Sequence, residues 1–301
     1  MQYFTEMNSY HNEKQSAVTL GKFDALHRGH QKLIEQVCKY ADDQTVSIVC
    51  AFDMGKQALL TKNEKREQLK EKVDYLILCP FTKKIREMEA ETFIQEILVN
   101  RFHASHLVVG TDFRFGHGKR GDARMLEQYA EQYGYQVDVI EKETLDGKII
   151  SSTYIRELLA EGNIVRANLL LGYTYQLSGT VRHGKQLGRT LGFPTMNVIP
   201  EEEKIMPKFG VYTCRIFVDG IWYNGIGNVG VKPTVTEEQK PLVEVYAFDF
   251  EGDAYGKEVT VEFCEFVRPE QKFSSIEELK AQVDEDINSG MGFFKTKGMY
   301  K

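Results

Sequence analysis

Through the first 170 residues, short apolar runs alternate with longer stretches whose apolar positions recur every three to four residues. The runs at 17–20, 46–52, 75–79, 106–110 and Gln136–Ile140 are short and rich in valine, isoleucine and leucine, which predicts strands. The stretches at 31–41, 64–72, 91–101 and Ala123–Tyr133 carry helical spacing, as Leu33, Ile34 and Val37 show in the first of them. This alternation predicts a Rossmann-like parallel sheet covered by helices on both faces. Such sheets bind ligands beyond the carboxyl ends of their strands.

Two short helices at 153–172, broken at Gly162-Asn163, follow. Beyond Gly172 the helical spacing nearly vanishes, and β-rich runs succeed one another at 175–183, 211–218, 221–229, 242–250 and 259–267. Asp219-Gly220 predicts a two-residue hairpin, because both central positions of a type I′ turn need positive φ. This half predicts an antiparallel β-barrel with one closing helix at 275–287, amphipathic through Ile276, Leu279 and Val283. The fold class is therefore α/β plus all-β, with domains at 1–172 and 173–301. A length of 301 residues agrees, at about 150 residues per domain.

Charge narrows the partners. With 44 acidic and 38 basic residues the net charge is -6, so the basic footprint of a nucleic-acid binder is missing and any anion site must be local. No apolar run reaches the roughly 18 residues of a membrane span. The opening Met1-Gln2-Tyr3-Phe4-Thr5-Glu6 lacks the order of a secretory leader, which predicts a cytoplasmic protein with no membrane partner, expected as a monomer or weak homo-oligomer. Cys38, Cys50, Cys79, Cys214 and Cys264 have no C-x-x-C spacing and predict reduced thiols, not bridges or zinc ligands.

The first candidate site is Gly21-Lys22-Phe23-Asp24-Ala25-Leu26-His27-Arg28-Gly29-His30, between the first strand and the first helix. Gly21 allows a tight exit, Gly29 allows backbone to approach a ligand, and the helix start offers free N–H groups to an anion. His27 and His30, three apart, project to one side and can donate to one phosphate. Taken alone, two such histidines also suit an ordinary polar cap. Zinc is a poorer fit, since metalloprotease histidines lie four apart around a glutamate.

This segment resembles the H-x-G-H nucleotidyltransferases in the form found in bacterial FAD synthetases. A second signature of that family is present about 120 residues later as Ile150-Ser151-Ser152-Thr153-Tyr154-Ile155-Arg156, and Gly110-Thr111-Asp112-Phe113-Arg114-Phe115-Gly116 is a third. The resemblance implies adenylyl transfer from ATP to FMN, releasing pyrophosphate, with His27 and His30 stabilising charge on the α-phosphate. It implies a catalytic role for Arg156, reaching phosphate, phosphate contacts from Gly21, Phe23, Asp24, Gly29, Ser151, Ser152 and Thr153, and flavin contacts from Asp112 and Phe113. The family's usual Pro-His-Pro segment is replaced here by Asp53-Met54-Gly55-Lys56, Ala25 stands where glycine is usual, and Tyr154 where a basic residue is common.

In the second half, Gly179-Thr180-Val181-Arg182-His183-Gly184-Lys185 falls short of a P-loop. Gln186 replaces the magnesium-binding Ser or Thr, and Gly188 and Pro194 predict that no helix follows Lys185. A glycine-rich lid over phosphates and a plain surface hairpin both remain open. Thr195 and Asn197 fall on one side of an extended run and suit magnesium shared with phosphate oxygens, or else a structural turn. Glu244 is either a general base or an outward strand glutamate.

The run Gly188-Arg189-Thr190-Leu191-Gly192-Phe193-Pro194-Thr195-Met196-Asn197 resembles the riboflavin kinase signature, and the likeness continues through Gly227-Asn228, Glu244-Val245-Tyr246 and Arg268. It implies transfer of the ATP γ-phosphate to the terminal ribityl hydroxyl of riboflavin. Glu244 would be the base, Thr195 and Asn197 would hold Mg²⁺, Gly179, Gly184, Lys185, Gly188 and Arg189 would meet ATP, and Arg268 would meet flavin. Tyr246 replaces a commoner histidine. The expected protein is thus a bifunctional kinase and adenylyltransferase using MgATP. Its alternatives are a riboflavin kinase with an impaired first half and a non-catalytic flavin or nucleotide sensor.

Overall fold

The computed structural model describes all residues except Met54, Lys56, 185–187, 189–190, 234–238 and 300–301, with backbone alone at 232–233 and 239–240. The chain divides into two compact units, Met1–Ser152 and Thr153–Lys301.

The first unit contains strands β1 (Gln2–Phe4), β2 (Gln15–Gly21), β3 (Thr45–Asp53), β4 (Tyr75–Pro80), β5 (Ala104–Gly110) and β8 (Gln136–Ile140). Two small ladders, β6 (Arg114–Phe115) with β7 (Gly121–Asp122) and β9 (Thr144–Leu145) with β10 (Lys148–Ile149), interrupt that series. The main sheet runs β1-β4-β3-β2-β5-β8, with every pairing parallel. Its order reverses beside β2, so the carboxyl ends of β2 and β5 open a crevice. Ile48, Leu107 and Val109, all fully buried, belong to the core that a sheet covered on both faces requires.

Helix limits follow caps that periodicity does not reveal. α1 (Arg28–Lys39) starts three residues before the expected 31, because the Nδ1 atom of His27 caps the His30 amide. α2 (Lys62–Leu69) starts at 62, where Thr61 and Glu64 form a reciprocal capping box that is typically worth about 1 kcal/mol. The helix expected at 91–101 is mostly a π-helix, Phe93–Val99, in which the Asn100 amide bonds to Gln95 and the Phe102 amide to Ile97. The helix expected at Ala123–Tyr133 has those limits, set by Asp122 at one end and by Gly134 at φ 74° at the other.

The second unit holds α3 (Ser152–Glu161) from its second residue onward and α4 (Ile164–Leu171), then closes a barrel in the order β11-β12-β15-β14-β13-β16. These strands are β11 (Gln176–Arg182), β12 (Met196–Pro200), β13 (Gly210–Val218), β14 (Ile221–Pro233), β15 (Gln239–Ala247) and β16 (Glu258–Arg268). All six pairings are antiparallel. The Asp219-Gly220 turn has φ of 50° and 85°, as its hairpin requires. β12 supplies a sixth strand beyond the five clear β runs. The closing helix, Ile276–Thr296, runs nine residues past the expected 287. It can do so because Gly290 lies so close to Ile226 that a Cβ there would sit 2.9 Å from a side-chain methyl, and Phe294 is fully buried beyond it.

The boundary expected at 172 therefore falls about twenty residues late. Rhythm changes at Gly172, yet α3 and α4 pack with the barrel: Asn168 donates to the Phe263 carbonyl at 2.9 Å and accepts from the Tyr175 amide at 2.7 Å. The Lys208 amide likewise bonds to the Leu159 carbonyl at 2.8 Å. All five cysteines are free. Among the described residues, no helix is long and apolar enough to cross a membrane.

Candidate active sites

β2 ends at Gly21, and the chain reaches α1 through Phe23 and Leu26, both at φ 44°. A left-handed conformation at a bulky residue costs about 1–3 kcal/mol, and here it is sustained by complete burial of Phe23 and near-complete burial of Leu26. The detour stacks the His27 and His30 rings with centroids 3.7 Å apart and planes 15° from parallel. His27 Nδ1 accepts from the His30 amide at 3.4 Å, which places the His27 proton on Nε2 in the neutral ring.

Burial pushes the His27 pKa down to about 4, against smaller opposing effects from a backbone hydrogen bond and from Asp24 and Asp112. Burial, His27 and Lys65 together hold His30 well below its usual range. Both rings are therefore neutral near pH 7 and serve as N–H donors without carrying charge. The buried Nδ1 of His30 has no hydrogen-bond partner among the described residues.

These rings face a cavity of about 740 Å³ beside the crevice. Its polar part holds His27, Gly29, His30, Ser151 and Ser152, with Gly21 and Phe23 at the strand end. Its apolar part is built from Phe52, Phe81, Phe113 and Phe115, and Phe113 stacks on Phe115 at 5.5 Å. Asp112 also lines it and is ion-paired to Lys142 at 2.8 Å.

In the barrel, strand register sets a row of polar groups: Asn197 on β12 lies opposite Glu244 on β15, which lies opposite Asn228 on β14. All three line a cavity of about 350 Å³ with Thr195, Gly188 and Arg268. A second cavity of about 400 Å³ is lined by Pro194, Phe250, Asp253 and Tyr255, and again by Thr195 and Asn197. These two residues thus form a wall shared by both cavities. A Cβ on Gly184 would sit 2.5 Å from the Asn197 amide nitrogen, so glycine there makes room for that side chain. Arg268 is bound in two places by the buried Asp286 carboxylate, Nε at 2.8 Å and Nη2 at 2.7 Å.

Two family descriptions match the two halves: FAD synthetase over residues 9–154 and riboflavin kinase over residues 171–294. A protein of Haemophilus influenzae named bifunctional riboflavin kinase/FMN adenylyltransferase is 37% identical over 293 residues, covering 93% of this chain and 94% of its own. Its namesakes in Listeria monocytogenes and Escherichia coli K12 are 35% and 34% identical, each covering 92% of both chains. This chain belongs to the bifunctional riboflavin kinase/FMN adenylyltransferase family. A solved structure described as a macrolide-efflux protein of Streptococcus pneumoniae shares the fold, with a TM-score of 0.85 and 29% identity over 95% of this chain and 96% of that one.

The cavities gather many, but not all, of the residues expected from sequence. Asp24 is absent from the cavity lining: its carboxylate accepts from the Leu59 amide at 3.1 Å and its carbonyl from Leu60, so it fastens a loop. Gly179 lines neither barrel cavity and is needed because a Cβ there would lie 2.2 Å from the Ile199 carbonyl oxygen. Thr153 and Arg156 stand on α3 in the second unit. Lys185 and Arg189 lie outside the described residues. Contrary to expectation, helix does form beyond Lys185, at Gly188 and Leu191; it ends at Gly192, φ 95°, before Pro194 can interfere.

Asn228, Glu270 and Asp286 were missed as site residues. Asn228 had a signal, an amide between apolar positions of an alternating strand, and Asn228 donates to Glu270 at 3.4 Å. Asp286 had none, because its partner Arg268 is 18 residues away.

Proposed function

We propose that the barrel transfers the γ-phosphate of ATP to riboflavin, giving FMN and ADP, and that the first unit transfers the adenylyl group of a second ATP to FMN, giving FAD and pyrophosphate. The observation that carries the first reaction is the wall of Thr195 and Asn197 between two cavities, with Glu244 on one side only. Riboflavin in the Glu244 cavity and ATP in the other would meet across that wall. Glu244 accepts the proton of the terminal ribityl hydroxyl as its oxygen attacks the γ-phosphorus, and ADP leaves.

Thr195 and Asn197 offer hard oxygen donors, and among the described residues no cluster of three acidic, histidine or cysteine side chains competes for a cation. That donor set fits Mg²⁺, which takes few protein oxygens and completes its shell with phosphate and water. Bound there, the ion would neutralise charge on the transferring phosphate.

In the first unit, an FMN phosphate oxygen attacks the α-phosphorus and pyrophosphate leaves, with no covalent enzyme intermediate. Neutral His27 and His30 donate hydrogen bonds to the charge that develops, and a buried, preorganised donor acts there without reorganisation. The phenylalanine wall and Asp112 receive the flavin, while Gly29, Ser151 and Ser152 receive phosphate. The absent Pro-His-Pro histidine removes no group from this scheme. Riboflavin, FMN and ATP are the partners it requires.

Purified protein given riboflavin, ATP and Mg²⁺ is expected to make FMN and then FAD. FMN supplied directly with ATP tests the first unit alone through pyrophosphate release. FMN accumulating without FAD would refute the second reaction, and tight flavin binding without turnover would refute both.

A further inference from the structure

Glu143 stands at the neck of the β9–β10 hairpin, where its carbonyl accepts from the Ile150 amide at 2.9 Å. The next residues, Ser151 and Ser152, line the polar part of the first cavity. Glu143 lines the same cavity, and its side chain reaches α1. One carboxylate oxygen accepts from Arg28 at 2.8 Å and the other is ion-paired with Lys32, both on the first turns of α1. The Glu143 side chain is only 11% exposed, against 39% and 51% for its partners, and a Cβ on Gly29 would lie 3.7 Å from its own Cβ. One carboxylate thus ties the helix start that carries His27 and His30 to the segment that carries Ser151 and Ser152. The two signatures are about 120 residues apart in sequence.

We propose that Glu143 is a positioning residue for adenylyl transfer: by gripping Arg28 and Lys32 it sets the spacing between the histidine pair and the serine pair, and it holds both cations off the polyphosphate. The proposal rests on the adenylyltransferase reading of the first unit. Hydrogen bonds and ion pairs to a shielded carboxylate are the strong kind, and the geometry they fix bears directly on the reacting groups. Losing the grip frees two cations near the phosphate site, so ATP affinity should not fall while alignment does.

The test is the full-length Glu143→Gln protein. Expected are a kcat for FAD formation from FMN about tenfold or more below wild type, an ATP KM unchanged or lower, and an unchanged rate of FMN formation. Arg28→Gln with Lys32→Met breaks the same tie from the helix side and should lower kcat similarly. Adding Glu143→Gln to that pair should cause no further loss, since residues acting through one interaction are not additive.

A raised ATP KM with kcat intact, an unchanged kcat, or full additivity of the two sets would each overturn the proposal. Amide hydrogen exchange gives a readout independent of turnover: Ile150 should exchange about tenfold faster in Glu143→Gln, and unchanged exchange also counts against the tie. Wild-type protein that makes no FAD, yet shows the exchange difference, would instead overturn the adenylyltransferase reading.

Discussion

Replacing Gly184 by alanine isolates the position of one amide. The backbone at 184 lies outside the left-handed region, so alanine adopts it without strain, and the whole effect comes from the added methyl. That methyl would sit 2.5 Å from Nδ2 of Asn197 and 2.9 Å from its Cγ and Oδ1, whereas ordinary contact begins at 3.4 Å. The amide must retreat by about 1 Å, and Asn197, 7% exposed on β12 opposite Arg182 and Glu244, has little room to do so. Because a short side chain and not backbone must yield, the stability cost should stay near the low end for overpacking, about 1 kcal/mol. A displacement of about 1 Å in a positioning group is worth up to 100-fold in rate. Steady-state FMN formation from riboflavin should therefore show kcat lower by about 10- to 100-fold, while FAD formation from FMN stays at the wild-type rate. A folded variant whose kinase kcat lies within twofold of wild type would refute the idea that Gly184 makes room for a working Asn197.

The two reactions should separate by mutation. Glu244→Gln is expected to lower FMN formation by about 100-fold or more and spare FAD formation from FMN, with His30→Ala doing the reverse; loss of both activities from either change in a folded protein would contradict the division. pH should act on the first unit through His27, whose pKa falls from 6.5 to about 4 on folding. The unfolded chain therefore binds the proton first, so stability is complete above pH 6.5 and falls by about 3 kcal/mol as pH drops toward 4. Denaturant midpoints for the first unit that do not change between pH 7 and pH 4.5 would be inconsistent with buried neutral histidines. Finally, Asp286→Ala strands the Arg268 guanidinium and should destabilise the barrel by about 3 kcal/mol, read as a melting point roughly 6–12 °C lower. An unaltered melting point would mean that the pair contributes nothing to the barrel.

Sequence and structure agree best where a property is local. Gln136–Ile140 and Ala123–Tyr133 have the expected limits, because a short run carrying Val137, Val139 and Ile140 and a helix stopped by Gly134 are complete in themselves. The π-helix at Phe93–Val99 was not legible, since α and π spacing differ by one hydrogen-bond step and both bury the same apolar face. β12 was legible only in part: the alternation of Thr195 and Asn197 was visible, but five residues beginning after a proline do not announce a strand until β11 and β15 pair with them.

The amino-acid order alone determined the two-part architecture, the H-x-G-H helix start, the Ile150-Ser151-Ser152 segment and the candidacy of Thr195, Asn197 and Glu244. All of these depend on residues within a turn or two of each other, or on signatures that are continuous in the chain. The three-dimensional packing decided the rest. It assigned α3 and α4 to the barrel, turned Asp24 to a loop and set Gly179 against a neighbouring carbonyl. It also aligned Asn228 with Glu244, joined Arg268 to Asp286 and brought Glu143 onto Arg28 and Lys32. Each of these is a pairing across many residues, set by strand register and by the need of buried polar groups for partners, and neither can be read from periodicity along one segment.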